Sequence, residues 1–223
     1  MNGLPEPVAR TPLFSLLSEK QRDEVARVAR RREFQKGELI ALYGDIWPYL
    51  LVVGEGTLNA VKESSGGRRL IVLTLEPGDV FWGPAFFNDG ASMPVTIEAR
   101  RASRVYLWDR ESLLPVLLKN GPALWELCRL MVVRMQQASE IVEGLAFRPV
   151  AVRLARFIIE RFGDSANTPV ARDLTLDEMA AMVGTTREQV CRILYRFASE
   201  GLIKITRTEF VLTDKDSLSR LIE

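Results

Sequence analysis

The chain has 223 residues, 30 Lys and Arg against 29 Asp and Glu, and a formal net charge of +1. Its 47% apolar and 26% charged residues are the mix of a globular protein able to bury one large or two modest cores, which excludes wholesale disorder. Histidine is absent and only two cysteines occur, Cys128 and Cys191, which excludes His-based metal sites, Ser-His-Asp and Cys-His catalysis, His-ligated haem and a four-thiolate cluster within one chain.

No catalytic residue, metal or cofactor is therefore expected. No apolar run reaches the ~18 residues of a membrane span. The opening MNGLPEPVAR lacks the apolar stretch and cleavage site of a secretory signal. Two cysteines make no disulfide framework, so a reducing cytoplasm is the expected compartment, without membrane contact.

The first element expected is a short amphipathic helix from Glu19 to Arg32, with Val25, Val28 and Ala29 as its apolar positions. Short apolar runs broken by turns follow. Leu50-Leu51-Val52-Val53 precedes Gly54-Glu55-Gly56, and Leu58 to Val61 precedes Ser64-Ser65-Gly66-Gly67. Leu70 to Leu75 then precedes Glu76-Pro77-Gly78-Asp79. This grammar predicts an antiparallel sandwich or barrel up to about residue 110.

The period then changes. Apolar positions Leu124, Cys128, Met131, Met135, Ala138, Val142 and Leu145 alternate steps of four and three, the seam of a coiled coil. Gly121-Pro122 marks the start, because proline suits a first helical turn. The bland reading packs this helix on its own β domain. A strict seam suits a partner helix better, so a homodimer is expected. Arg134 and Ile141 flank the seam. Cys128 would face its symmetry mate, either as a redox sensor or as a small buried apolar residue.

A helix from Val150 to Phe162 and a polar loop from Gly163 to Asp173 come next. Thr175-Leu176-Asp177-Glu178 is a capping box, and Thr186-Arg187-Glu188-Gln189 repeats it with Gln in third place. Two capped helices joined by a tight turn with Gly184 form the helix-turn-helix signature. Ala180 is small where the helices should cross, Gly184 tolerates positive φ, and Val190 anchors the second helix.

At about 100° per residue from Arg187, Cys191 falls near 40°, Tyr195 near 80°, Glu188 near 100° and Arg192 near 140°. Val190, Ile193, Leu194 and Phe197 occupy roughly 240–340°, the core face. The opposite face carries groups suited to base edges: Arg binds guanine O6 and N7 bidentately, and Glu accepts from cytosine N4. A solvated charged face is the bland alternative, and the spacing of Ala180, Gly184 and Val190 with both boxes outweighs it. Thr186, Arg187, Glu188, Cys191 and Arg192 are the expected DNA-binding set. After Gly201, Leu202 to Thr206 and Phe210 to Leu212 read as a hairpin wing, with Lys204 and Arg207 as phosphate contacts. The basic surplus is local: five basic and two acidic residues lie between Arg187 and Arg207.

At this point the chain resembles the CRP/FNR superfamily of transcription regulators, related to the cyclic-AMP receptor protein, over nearly its whole length. The resemblance rests on Gly37-Glu38-Leu39-Ile40, Val53-Gly54-Glu55-Gly56, Leu75-Glu76-Pro77-Gly78-Asp79-Val80-Phe81, Ser139-Glu140, Leu145-Ala146-Phe147 and, most specifically, Val183 through Leu194. It implies an α+β fold: an N-terminal double-stranded β-helix, or jelly-roll-like β-roll, a long dimerisation helix and a C-terminal winged helix-turn-helix. The expected domains are a sensor at 1–119, the dimerisation helix and hinge at 120–147 and the DNA-binding domain at 148–223. The resemblance further implies that Arg187, Glu188 and Arg192 read a palindromic, TGTGA-like site in double-stranded DNA, with RNA polymerase as a further partner. An effector would shift the angle between domains at a hinge near Glu143-Gly144.

The ligand signature departs from the cyclic-nucleotide branch. Gly83 stands at the position of the ribose-binding Glu, and Met93 and Pro94 stand where Arg and Ser bind the phosphate. Ala138 replaces one base-contacting hydroxyl while Ser139 keeps the other. A buried phosphate without its arginine costs several kcal/mol, so cyclic-nucleotide dependence is not expected. Trp82, Phe86, Phe87 and Met93, with Ser139, outline an apolar effector pocket. It either takes an unidentified small molecule or is filled by its own side chains. Two other functional classes stay open: an effector-binding or enzymatic barrel using the helix-turn-helix as an interaction module, and an architectural DNA binder without sequence preference.

Overall fold

The computed structural model describes residues 4–206 and 208–222. Two compact units occur, one of Met1–Lys62 with Val72–Gln137, the other of Glu63–Ile71 with Ala138–Glu223.

The chain opens with α1 (Glu6–Ala9), α2 (Pro12–Ser15) and α3 (Glu19–Val28). Ser18 and Gln21 form a reciprocal capping box that starts α3. This helix stops at Val28, short of the expected Arg32. Ala29 is extended, and Arg30–Phe34 is instead strand β1. The reason is tertiary: Arg30 to Phe34 pair antiparallel with Leu107 to Ser103, and that ladder overrides a helical pattern that left Arg30, Arg31 and Arg32 polar.

The remaining strands of this region are β2 (Leu39–Ala41), β3 (Tyr49–Glu55), β4 (Leu58–Glu63), β5 (Arg69–Leu75), β6 (Val80–Trp82), β7 (Thr96–Ala99) and β8 (Ser103–Asp109). They form two four-stranded sheets, ordered β1-β8-β3-β6 and β2-β7-β4-β5. This is the expected β-roll. Strand β3 is almost wholly apolar because both of its faces are covered. Leu51 and Val53 face the second sheet, with Ala60, Met93, Ile97 and Val105. Leu50 and Val52 face the helices, with Phe14, Val25, Phe86 and Trp108. Trp108 satisfies its indole by donating to the Val25 carbonyl at 2.8 Å.

Helix α4 (Arg110–Leu118) leads to α5 (Gly121–Phe147), which starts at the expected Gly-Pro. Ala123 and Leu127 bury against the helix-side core, with Leu130 and Met131 packed beside them. Of the seam positions, Met131 is half-buried by this packing and Leu124 is half-buried as well, whereas Cys128, Met135, Ala138, Val142 and Leu145 are exposed. Among the described residues, no helix is long and apolar enough to cross a membrane.

The C-terminal region comprises α6 (Val150–Phe162), β9 (Val170–Ala171), α7 (Leu176–Val183), α8 (Arg187–Ser199), β10 (Ile203–Ile205), β11 (Glu209–Leu212) and α9 (Lys215–Ser219). Leu154, Ile158, Val183, Val190, Phe197 and Phe210 belong to its single core. The segment 163–173, expected as loop, contributes β9. It pairs with β11, so the wing has three strands ordered β10-β11-β9. A two-residue strand carries too little alternation to be read from sequence.

Candidate nucleic-acid interface

Helix α7 begins with a complete capping box. Thr175 accepts from the Glu178 amide at 3.1 Å, and the Glu178 carboxylate accepts from the Thr175 amide at 2.7 Å. It ends at Gly184, whose φ of 72° is left-handed and whose amide donates to Ala180. At the start of α8, Thr186 accepts from the Gln189 amide at 3.4 Å. The expected return bond from Gln189 is not made. Its side-chain oxygen accepts from the Arg192 guanidinium at 2.5 Å instead. A charged donor one turn away offers a stronger hydrogen bond than the neutral amide.

The two faces of α8 separate as the helical plot predicts. Val190, Ile193, Leu194 and Phe197 are buried. Arg187, Glu188, Arg192 and Tyr195 are exposed, and Cys191 is half-buried between them. These five side chains line one open depression. Arg187 contacts Asp177 of α7 at 3.5 Å, with both side chains well exposed. Such an ion pair holds little energy in water, so the guanidinium can exchange it for a base or phosphate. Tyr195 shares the exposed face of the helical plot. At 74% exposed, this residue extends that surface by one turn.

Lys204 is exposed on β10, opposite Val211 in the wing hairpin. The wing turn is held from β9's side by Arg172, which donates to the Thr206 carbonyl at 3.3 Å. Arg207 lies outside the described residues.

The structure brings Trp82, Phe86 and Phe87 together, with Phe87 in ring contact with both of the others, but sets Met93 apart from them. Trp82, Phe86 and Phe87 join the helix-side core, whereas Met93 lies in the core between the sheets. Strand alternation accounts for the side on which Trp82 lies. Phe81 and Trp82 sit opposite Leu51 and Leu50, so their side chains leave β6 on opposite faces. Phe86 and Met93 are closed off, at 0% and 1% exposure. Gly83 has no space for a side chain: a Cβ there would lie 1.9 Å from the Trp47 carbonyl oxygen. Pro94 is exposed, and Ser139 is exposed on α5.

Comparison with known proteins agrees with this architecture. A family model described as the cyclic nucleotide-binding domain matches residues 31–120, and one described as the Crp-like helix-turn-helix domain matches residues 152–221. The CRP-like cAMP-activated global transcriptional regulator of Mycobacterium tuberculosis is 24% identical over 222 residues, covering 96% of this chain and 98% of that protein. A solved protein of the crp/fnr family from Eubacterium rectale has a TM-score of 0.76 at 24% identity, over 95% of this chain and 97% of that one. FixK2 from Bradyrhizobium japonicum has a TM-score of 0.73 at 24% identity, over 88% and 98%. The likeness to these solved structures bears on fold. With both domain models and the regulator relatives, the chain belongs to the CRP/FNR family, a transcription regulator with a helix-turn-helix DNA-binding domain.

Proposed function

We propose that the chain acts as a homodimer that reads a palindromic, TGTGA-like DNA site without needing a cyclic nucleotide. The observation that carries this reading is the exposed face of α8, where Arg187, Glu188 and Arg192 stand clear of a fully buried opposite face. Inserted in the major groove, the arginines address guanine and Glu188 addresses cytosine, with Thr186 and Cys191 alongside. Lys204 on β10, together with Arg207, supplies sequence-independent phosphate attraction.

Dimerisation is supported by the apolar stripe of α5. Met135 and Val142 are each 66% exposed, and Cys128 and Leu145 extend the same stripe. A second copy would cover it and present two recognition helices to two half-sites one helical turn apart. RNA polymerase is the further partner we assign to the DNA-bound dimer.

Independence from cyclic nucleotides is supported at three positions. Gly83 offers no carboxylate for a ribose, Met93 is a buried thioether, and Pro94 has no hydroxyl for a phosphate. The named cAMP-activated relative is therefore a guide to architecture rather than to ligand. A small-molecule effector of another kind stays compatible with this reading.

The deciding experiment is fluorescence anisotropy with purified chain and nothing added, comparing a TGTGA palindrome with a scrambled duplex at fixed salt. A preference of at least about a hundredfold is expected. Equal affinity overturns base reading, and a preference that emerges only with cyclic AMP overturns nucleotide independence.

A further inference from the structure

Arg153 sits in the first turns of α6, half-buried, and its guanidinium meets carbonyls from two separate helix ends. Its Nε donates to Val183 at 2.9 Å and one terminal nitrogen donates to Gly184 at 3.2 Å, both at the end of α7. The other terminal nitrogen donates to Arg148 at 2.7 Å and reaches Gly144 at 3.5 Å, at the end of α5. Helix C-termini leave carbonyls unpaired and carry partial negative charge, so one cation between two of them satisfies both. Only a planar fork spans two such sets, which distinguishes Arg from Lys here.

Packing repeats the connection. A Cβ on Gly184 would lie 2.6 Å from Leu145 Cδ2, so the glycine of the turn is closed against the last turn of α5. The Arg153 stem also lies 3.9 Å from the point where a Gly144 Cβ would be. Burial lowers the pKa of this guanidinium from its ordinary value, as expected where the compensating groups are carbonyl dipoles rather than a carboxylate.

We propose that Arg153 is a positioning residue that locks the end of the long helix to the turn of the helix-turn-helix, so that α8 is presented to DNA at an angle set by α5. The proposal rests on the base-reading role of α8. It moves the point of flexure away from Glu143-Gly144. That segment is tied to the DNA-binding fold, so an effector-driven reorientation must bend α5 before Gly144 or break the Arg153 contacts.

The test compares full-length wild type with Arg153→Met and Arg153→Lys, by amide hydrogen exchange and by DNA binding below the melting temperature of each variant. Arg153→Met should raise exchange together at Gly144–Arg148 and at Val183–Thr185. It should weaken binding to the palindrome at least about tenfold, with random DNA changed less than about twofold, because only the palindrome requires both half-sites to be met at a set angle. Arg153→Lys should recover part of the affinity. A folded Met variant with unchanged palindrome affinity, or with increased exchange in one segment alone, overturns the proposal. If the Met variant does not fold, wild-type exchange at both segments in Arg153→Lys overturns it equally. Should the wild type not prefer the palindrome, base reading fails while the exchange comparison still decides the lock.

Discussion

Gly83 is pressed so closely against the backbone of Trp47 that no side chain fits between them. With a φ of −77° its conformation is open to any residue, so the requirement for glycine is steric. Gly83→Ala must displace the Trp47 carbonyl, and with it an indole packed against Tyr49 and Phe81. A loss of about 1–3 kcal/mol in urea unfolding is expected, the usual cost of overpacking. An alanine variant as stable as wild type would mean that this strand end yields freely.

The same contact bears on ligands. A molecule bound at a hundred times its Kd stabilises the fold by about 2.7 kcal/mol. Millimolar cyclic AMP or cyclic GMP should leave the thermal melt unchanged. A clear rise in Tm with either would show that another route to nucleotide binding exists.

Arg192 and Lys204 should fail differently. Arg192→Ala should cost about 1–3 kcal/mol on the palindrome and little on random DNA. Lys204→Ala should weaken both duplexes alike and reduce the salt slope by about one per DNA-bound subunit. Anisotropy titrations over a salt series separate these patterns, and equal losses from Arg192→Ala on both duplexes would remove its base-reading role.

Met135 and Val142 lie exposed on α5, where a partner helix would cover them. Met135→Glu places a charge in that seam, and sedimentation should find a monomer with an unchanged circular dichroism spectrum. A wild type that sediments as a monomer at micromolar concentration would refute the dimer directly.

Asp109 links three elements. It caps α4 by accepting from the Ser112 amide at 2.9 Å and accepts from Arg30 of β1 at 2.8 Å. Hydrogen bonds from Ser112 hold its carboxyl below the ordinary carboxylate range, with the Arg30 charge assisting against desolvation. A depressed folded pKa stabilises fully above the unfolded value, about 3.9, and that contribution is lost as pH falls through the folded value. Asp109→Ala should cost about 0.5–2 kcal/mol at neutral pH, and the gap to wild type should close progressively below about pH 4. Parallel pH profiles of the two proteins would contradict this account.

Much of the interface was legible because its determinants are local. The box at Thr175 and Glu178, the glycine at 184 and the apolar positions Val190, Ile193, Leu194 and Phe197 act within one or two helical turns. Even there one hydrogen bond differs from the local pattern. Gln189 pairs with Arg192 rather than closing the second box, since two good local partners compete and sequence does not rank them. Arg153 carried no local signal, because its four carbonyl partners come from helix ends up to 31 residues away.

By itself, the amino-acid sequence determined the helix-turn-helix, the polarity of its second helix, the apolar stripe of α5 and the exclusion of histidine chemistry. These follow from periodicity, capping and composition, which need no knowledge of distant neighbours. Tertiary structure alone decided that Arg30 to Arg32 join a strand, that Trp82 and Met93 fall in different cores, and that Gly83 lies against Trp47. Each depends on which remote strand lies alongside, as Arg30 beside Leu107 does, and the free energy of that pairing exceeds local preference.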